Sequence, residues 1–143
     1  MSTAFSSFGM NIMLRSLFTP DVSAPPSVIQ LAACFSTPVS NAMGSQLDEP
    51  PQPPDDIDVG YVRASISMTS QFWGTSDFGE IYNVEALSIG TPTSYWGPLY
   101  GWALIDSDSD ECLVVGELTD PIDPVVGQPL EVPVASLVIG IYG

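Results

Sequence analysis

Along most of this chain polar and apolar residues alternate with the two-residue period of a half-buried strand. Residues 59–69 show it most clearly: Val62, Ala64, Ile66 and Met68 fall on one face, Tyr61, Arg63, Ser65 and Ser67 on the other. Residues 27–35 repeat the pattern with Ile29, Leu31, Ala33 and Phe35 in phase. Further strands are predicted over 80–89, 99–105, 112–118, 130–132 and 135–142, the last with Leu137, Ile139 and Ile141 on one face. Turn material separates them, at 74–79, Gly90-Thr91-Pro92, Trp96-Gly97-Pro98 and 119–128. Residues 11–18 depart from the period. Asn11 can cap a short helix there, Ile12, Leu14, Leu17 and Phe18 give it an apolar face, and Pro20 ends it. About seven short strands joined by Gly/Pro turns predict an all-β fold, an antiparallel β-sandwich. Residues 1–26 then form an N-terminal arm carrying the helix, and residues 27–143 a single domain.

The richest stretch is 95–106, which holds Tyr95, Trp96, Tyr100 and Trp102. Aromatic side chains bury the most area per residue, so the core is expected to nucleate here. Tyr100, Trp102 and Leu104 share one face of the predicted strand. Gly101, Ala103 and Ile105 make a smaller face against which another layer can pack closely. With residues 112–118 this strand reads as a hairpin whose turn is Asp106-Ser107-Asp108-Ser109-Asp110. Carboxylates at alternate positions, with Glu117 twelfth from Asp106, are what a Ca²⁺ loop supplies. Against this, Glu111 stands where the sharp turn of such a loop needs Gly, and the flanks read as strands. The run reads as a solvated hairpin tip, with loose Ca²⁺ binding left open. Residues 44–58, which include Pro50-Pro51-Gln52-Pro53-Pro54 and Asp55-Asp56, read as a Pro-rich acidic surface loop.

Charge narrows the chemistry. The chain has 143 residues and 17 Asp and Glu against two cations, Arg15 and Arg63, for a net charge of −15. Without a basic patch there is no nucleic-acid site and no attraction to an anionic membrane. The chain holds no His, which excludes Ser-His-Asp and Cys-His catalysis within it, and no Lys for a Schiff base. Paired carboxylates remain, but nothing brings two of them to one pocket. The expectation is a non-enzyme, with no catalytic residue, cofactor or metal ligand assigned. Cys34 and Cys112 lie in apolar strand-like settings and read as buried free thiols, with a disulfide left open. Arg15 lies inside the apolar N-terminal stretch rather than before it, so no secretory leader is expected, and no apolar run reaches the roughly 18 residues of a membrane span. Arg63 is expected to pair with Asp77 or Glu80, or to anchor an interface. The candidate interface residues are Arg15, Phe18, Arg63, Trp73 and Trp96.

The order of these features resembles a family of small bacteriophage structural proteins, of the minor tail, tail-fibre-like and virion-decorating kinds. The resemblance rests on the helix at 11–18 before Pro25-Pro26 and the strand ending in Ser36-Thr37-Pro38. It rests also on Gly60-Tyr61-Val62-Arg63-Ala64, on the Trp96-Gly97 turn with its strand ending in Asp106, and on 113–118 with Val126-Gly127-Gln128-Pro129-Leu130. It covers residues 11–142; the acidic loop at 47–58 is longer than the family's pattern, and the absence of Lys is a further departure. It implies a non-catalytic structural role in the virion. A small, acidic, His-free domain fits a capsid decoration (cement) protein bound to the major capsid protein or other virion subunits and associating as a homotrimer. A minor tail or fibre-attachment protein is the alternative within that class. From another class stands a Ca²⁺-dependent carbohydrate-binding β-sandwich, with Trp73, Tyr95 and Trp96 as its sugar platform.

Overall fold

A computed structural model describes residues 2–18, 26–53, 56–67, 72–75 and 79–140. In chain order the elements are β1 (Ser2–Phe5), α1 (Ser7–Phe18), β2 (Val28–Cys34), β3 (Ala64–Ser67), β4 (Trp73–Thr75), β5 (Glu80–Asn83), β6 (Leu87–Ser88), β7 (Leu99–Asp106), β8 (Cys112–Ile122), β9 (Glu131–Val132) and β10 (Val138–Gly140). A five-stranded sheet runs β1-β8-β7-β2-β3, and every described strand pairing is antiparallel. The second layer consists of a three-stranded sheet, β10-β5-β4, and the two-stranded β6-β9. The fold is therefore all-β with one helix.

The β7–β8 hairpin lies inside the large sheet and buries both of its faces. On the large-residue face Ile29, Leu31, Ala33, Ile66, Trp102, Leu104 and Val114 form one core with Phe72, Leu87, Ile89, Trp96, Leu137 and Ile139. On the other face Ala32, Ala103, Ile105, Cys112 and Val115 pack against Ala42, with Leu47 beside them. The small face is thus covered as its small residues predict, and segment 36–53 covers it. Gly101 permits the approach: a Cβ there would sit 2.7 Å from the Ser36 carbonyl oxygen and 2.9 Å from Thr37 Cα. Three backbone hydrogen bonds hold the segment down, from Phe35 N–H to Asp48 O (2.7 Å), Gly44 N–H to Asp110 O (2.6 Å) and Cys112 N–H to Ala42 O (3.2 Å). The stretch expected as a solvated surface loop is so in part: Gly44 and Pro50 are buried and a one-turn 3-10 helix forms at Gly44–Gln46, while Ser45, Gln46, Asp48, Pro51, Pro53 and residues 56–58 are exposed.

Several expected boundaries are corrected. The N-terminal arm is divided: β1 completes the edge of the large sheet against β8, and α1 begins at Ser7 rather than Asn11. Ser6 organises the start of α1. Its hydroxyl accepts the Gly9 N–H at 2.9 Å and lies within donating reach of the Cys112 and Leu113 carbonyls, while its N–H reaches Leu113 O at 2.9 Å. The alternation predicted for 59–69 holds for Ala64, Ser65, Ile66 and Ser67 but inverts before them. Tyr61 is 3% exposed and Val62 55%. Gly60, at φ +87°, turns the chain there, packed so closely that a Cβ would lie 1.8 Å from Thr91 O. Residues 80–89 split at the buried Asn83, whose amide donates to Glu85 O and Pro133 O and accepts Leu137 N–H. β8 runs on through Thr119-Asp120-Pro121, and β4 occupies part of a predicted turn. An irregularity between Leu99 and Gly101 turns Leu99 inward and leaves Tyr100 45% exposed, so Tyr100 does not share the buried face of Trp102 and Leu104.

Candidate functional site

The strongest electrostatic constellation centres on Glu49. Arg63 Nε donates to both Glu49 oxygens at 3.0 and 3.2 Å, and Nη2 adds an ion pair at 2.5 Å. Nη2 also donates to Gly44 O (2.9 Å), and Nη1 to Gln30 Oε1 (3.2 Å). The Tyr61 hydroxyl donates to Glu49 Oε2 and accepts the Ala33 N–H at 3.0 Å. The Arg63 and Glu49 side chains are only 14% and 7% exposed. Burial opposes the Arg63 charge, but hydrogen bonds to Glu49 and its field outweigh this and raise the guanidinium pKa. Burial, reinforced by the Glu49 charge, drives the Tyr61 phenol far above its ordinary value. The expected partners of Arg63, Asp77 and Glu80, are replaced by Glu49; Asp77 lies outside the described residues. A polar cleft of about 480 Å³ opens beside this network. All three guanidinium nitrogens already donate within the chain, so the cleft offers no free cation to an anionic ligand.

The acidic turn is wired into the same region. Asp108 N–H donates to Asp106 Oδ1 (3.0 Å), and Asp110, at φ +64°, accepts the Ser45 N–H on Oδ2 (2.9 Å). Ser107, Asp108 and Ser109 are exposed, as a hairpin tip should be. Among the described residues no group of three His, Cys, Asp or Glu side chains is placed to hold a metal ion. Cys34 and Cys112 are free and fully buried. Burial, with the Glu49 charge next in weight, pushes the Cys34 thiol up to about 12; burial raises Cys112 to about 11. Both thiols are therefore protonated and unreactive in the folded chain.

Those sequence-predicted interface residues whose side chains are described differ in exposure. Trp96 is 7% exposed, its ring edge-on to Tyr61 at 5.5 Å and its indole N–H donating to Val59 O at 2.8 Å. Trp73 is half-buried against Phe72. Arg63 faces into the protein, Phe18 is exposed at the end of α1, and the Arg15 side chain lies outside the described residues. Trp96 offers no ring face to a sugar, so the proposed platform of Trp73, Tyr95 and Trp96 is not assembled.

A different surface is assembled around Tyr95. Tyr95 is 66% exposed, and its hydrogen bond to Asp123 raises the phenol pKa, with Tyr100 close enough to add to the effect. Ile122, opposite Leu99 in the sheet, adjoins them. Gly127 N–H donates to Pro92 O at 2.9 Å, which seats the turn bearing exposed Val125 and Val126 beside the Tyr95 segment. Below Ile122 a cleft of about 270 Å³ opens between the layers. Leu99, Trp102 and Ile122 wall it on one side, Ile89, Leu130 and Leu137 on the other. The strand alternation hides this surface, because it predicts Tyr100 inward; the signal for it is the run of apolar residues inside the turn-rich segment 119–128. No described helix is long and apolar enough to cross a membrane. Comparison with protein-family models and with curated proteins finds no match for the chain.

Proposed function

We propose that this chain is a non-enzymatic structural module of a bacteriophage particle, a capsid decoration protein that docks on the major capsid protein. The virion part of this reading rests on the order of sequence features described above. The docking part rests on one observation, the exposed surface of Tyr95, Tyr100, Ile122, Val125 and Val126. Tyr side chains combine a large contact area with a polar tip, and they are enriched in protein interfaces. The acids Asp120 and Asp123 stand within or beside this surface, and the chain carries −15 overall. Copies of the chain repel one another, whereas a shell surface with Lys and Arg around an apolar centre complements it. Its action is then mechanical: each docked copy adds buried area, and many copies together resist internal pressure.

The test is to count the protein in purified particles. Decoration predicts a copy number comparable to that of the major capsid protein. A handful per particle would move it to the tail, and its absence would overturn the virion reading. Replacing both exposed rings, Tyr95→Ala with Tyr100→Ala, is expected to leave the circular dichroism spectrum unchanged and to lower occupancy at least tenfold.

A further inference from the structure

We infer that the cleft between the layers is a socket for one hydrophobic side chain, presented by a partner segment with Lys or Arg beside it. The inference rests on the docking reading and names what the partner must carry. The cleft exists because of a local irregularity. Had the alternation run on, the ring of Tyr100 would have entered the space between the layers. Instead Leu99 turns inward and Tyr100 outward, and the space is left underfilled.

Apolar hollows of roughly 150 Å³ already accept a benzene ring, so about 270 Å³ takes a Phe or Leu side chain with room to enter. Its walls offer almost no hydrogen-bonding groups, which excludes a polar ligand. The entrance is acidic. Glu131 borders it, exposed Asp120 falls between the wall residues Leu118 and Ile122, and Asp123 follows Ile122. Among the described side chains the one cation, Arg63, is held by Glu49 in the polar network, so nothing there neutralises these acids. A hydrophobic anchor flanked by cations satisfies both the walls and the entrance. Ile122 belongs to the cleft and to the Tyr95 surface alike, so socket and docking surface are continuous.

The test uses the full chain and two capped peptides, Ser-Lys-Phe-Lys-Ser and Ser-Glu-Phe-Glu-Ser, followed by methyl NMR. The Lys peptide is expected to shift the Leu118, Ile122 and Leu130 methyls saturably, and the Glu peptide to bind at least tenfold more weakly. Leu130→Trp, which fills the cleft, is expected to abolish the shifts. Glu131→Lys, an exposed change that leaves the core alone, is expected to remove the preference for the Lys peptide. No saturable shift with the Lys peptide, or equal affinity for both peptides, overturns the socket. Particles that take up Glu131→Lys as well as the parent chain overturn the socket and leave the docking reading standing. A chain that binds the Lys peptide in the cleft yet is absent from particles overturns the docking reading instead.

Discussion

A buried guanidinium stripped of its carboxylate is among the costlier defects a small domain can carry. In this chain Glu49 holds Arg63 and accepts the Tyr61 hydroxyl at once. Glu49→Gln keeps the shape but removes the charge, and it is expected to cost about 3 kcal/mol in urea unfolding. The double change Glu49→Leu with Arg63→Met removes both charges and should recover most of that loss; a double change as costly as the single one would show that the ion pair itself is stabilising. The thiols give a second residue-scale prediction. Cys34 is raised to about 12 and Cys112 to about 11, from an ordinary value of 9.0. Unfolded chains lose these protons near pH 9, while the folded chain keeps them. The stability they contribute is therefore fully present below pH 9 and is lost as pH rises through 11 and then 12. The slope reaches about 1.4 kcal/mol per pH unit per thiol. Cys34→Ala should flatten the fall in unfolding free energy between pH 9 and 11, and a thiol reagent at pH 8 should label neither cysteine until urea unfolds the chain.

At the scale of elements, the N-terminal β1–α1 unit depends on one close approach. Gly9 lies against β8, where a Cβ would stand 2.2 Å from the Leu113 carbonyl oxygen. Backbone cannot give way as a side chain can, so Gly9→Ala is expected to lift α1 off β8 and to cost about 1–3 kcal/mol. Hydrogen exchange should quicken at Ser6, Gly9 and Met10 before it does in β7; unchanged protection there would show that the helix is not held by this contact. The same unit shows what periodicity can and cannot convey. β2 and the β7–β8 hairpin are legible because their alternation is strong, and β7 and β8 are in addition joined by a single turn, whereas β2 finds its partners β3 and β7 far along the chain. β1 is not: four residues, Ser2–Phe5, become a strand because β8 offers them an open edge, a fact about the other end of the chain. Segment 36–53 was hidden by its composition, since prolines and acids read as solvated backbone although Glu49 is there to neutralise a buried Arg. For the site, the alternation placed Tyr100 inward because an irregularity in pairing leaves no mark in hydropathy. Trp96 was put at an interface, although an indole whose N–H finds a backbone carbonyl belongs as well in a core.

For the molecule as a whole the imbalance of charge dominates. Seventeen acids face two cations, and the described cation is spent inside. Repulsion among the remaining carboxylates destabilises the compact state and keeps copies apart, and both effects are screened by salt within a Debye length of about 10 Å at 0.1 M. Raising NaCl from about 0.02 to about 0.5 M should therefore raise the melting temperature by roughly 3 °C, the shift that about 1 kcal/mol gives a domain of this size. It should also move sedimentation toward the trimer that the family resemblance implies. The proposed docking on a basic surface is expected to respond with the opposite sign, because salt screens the attraction between an acidic chain and a basic partner. A chain whose stability rises and whose particle occupancy falls over the same salt series carries its charge for a basic partner. One whose occupancy rises with salt is held by apolar contact alone, and its acids serve to keep free copies apart until they reach the particle.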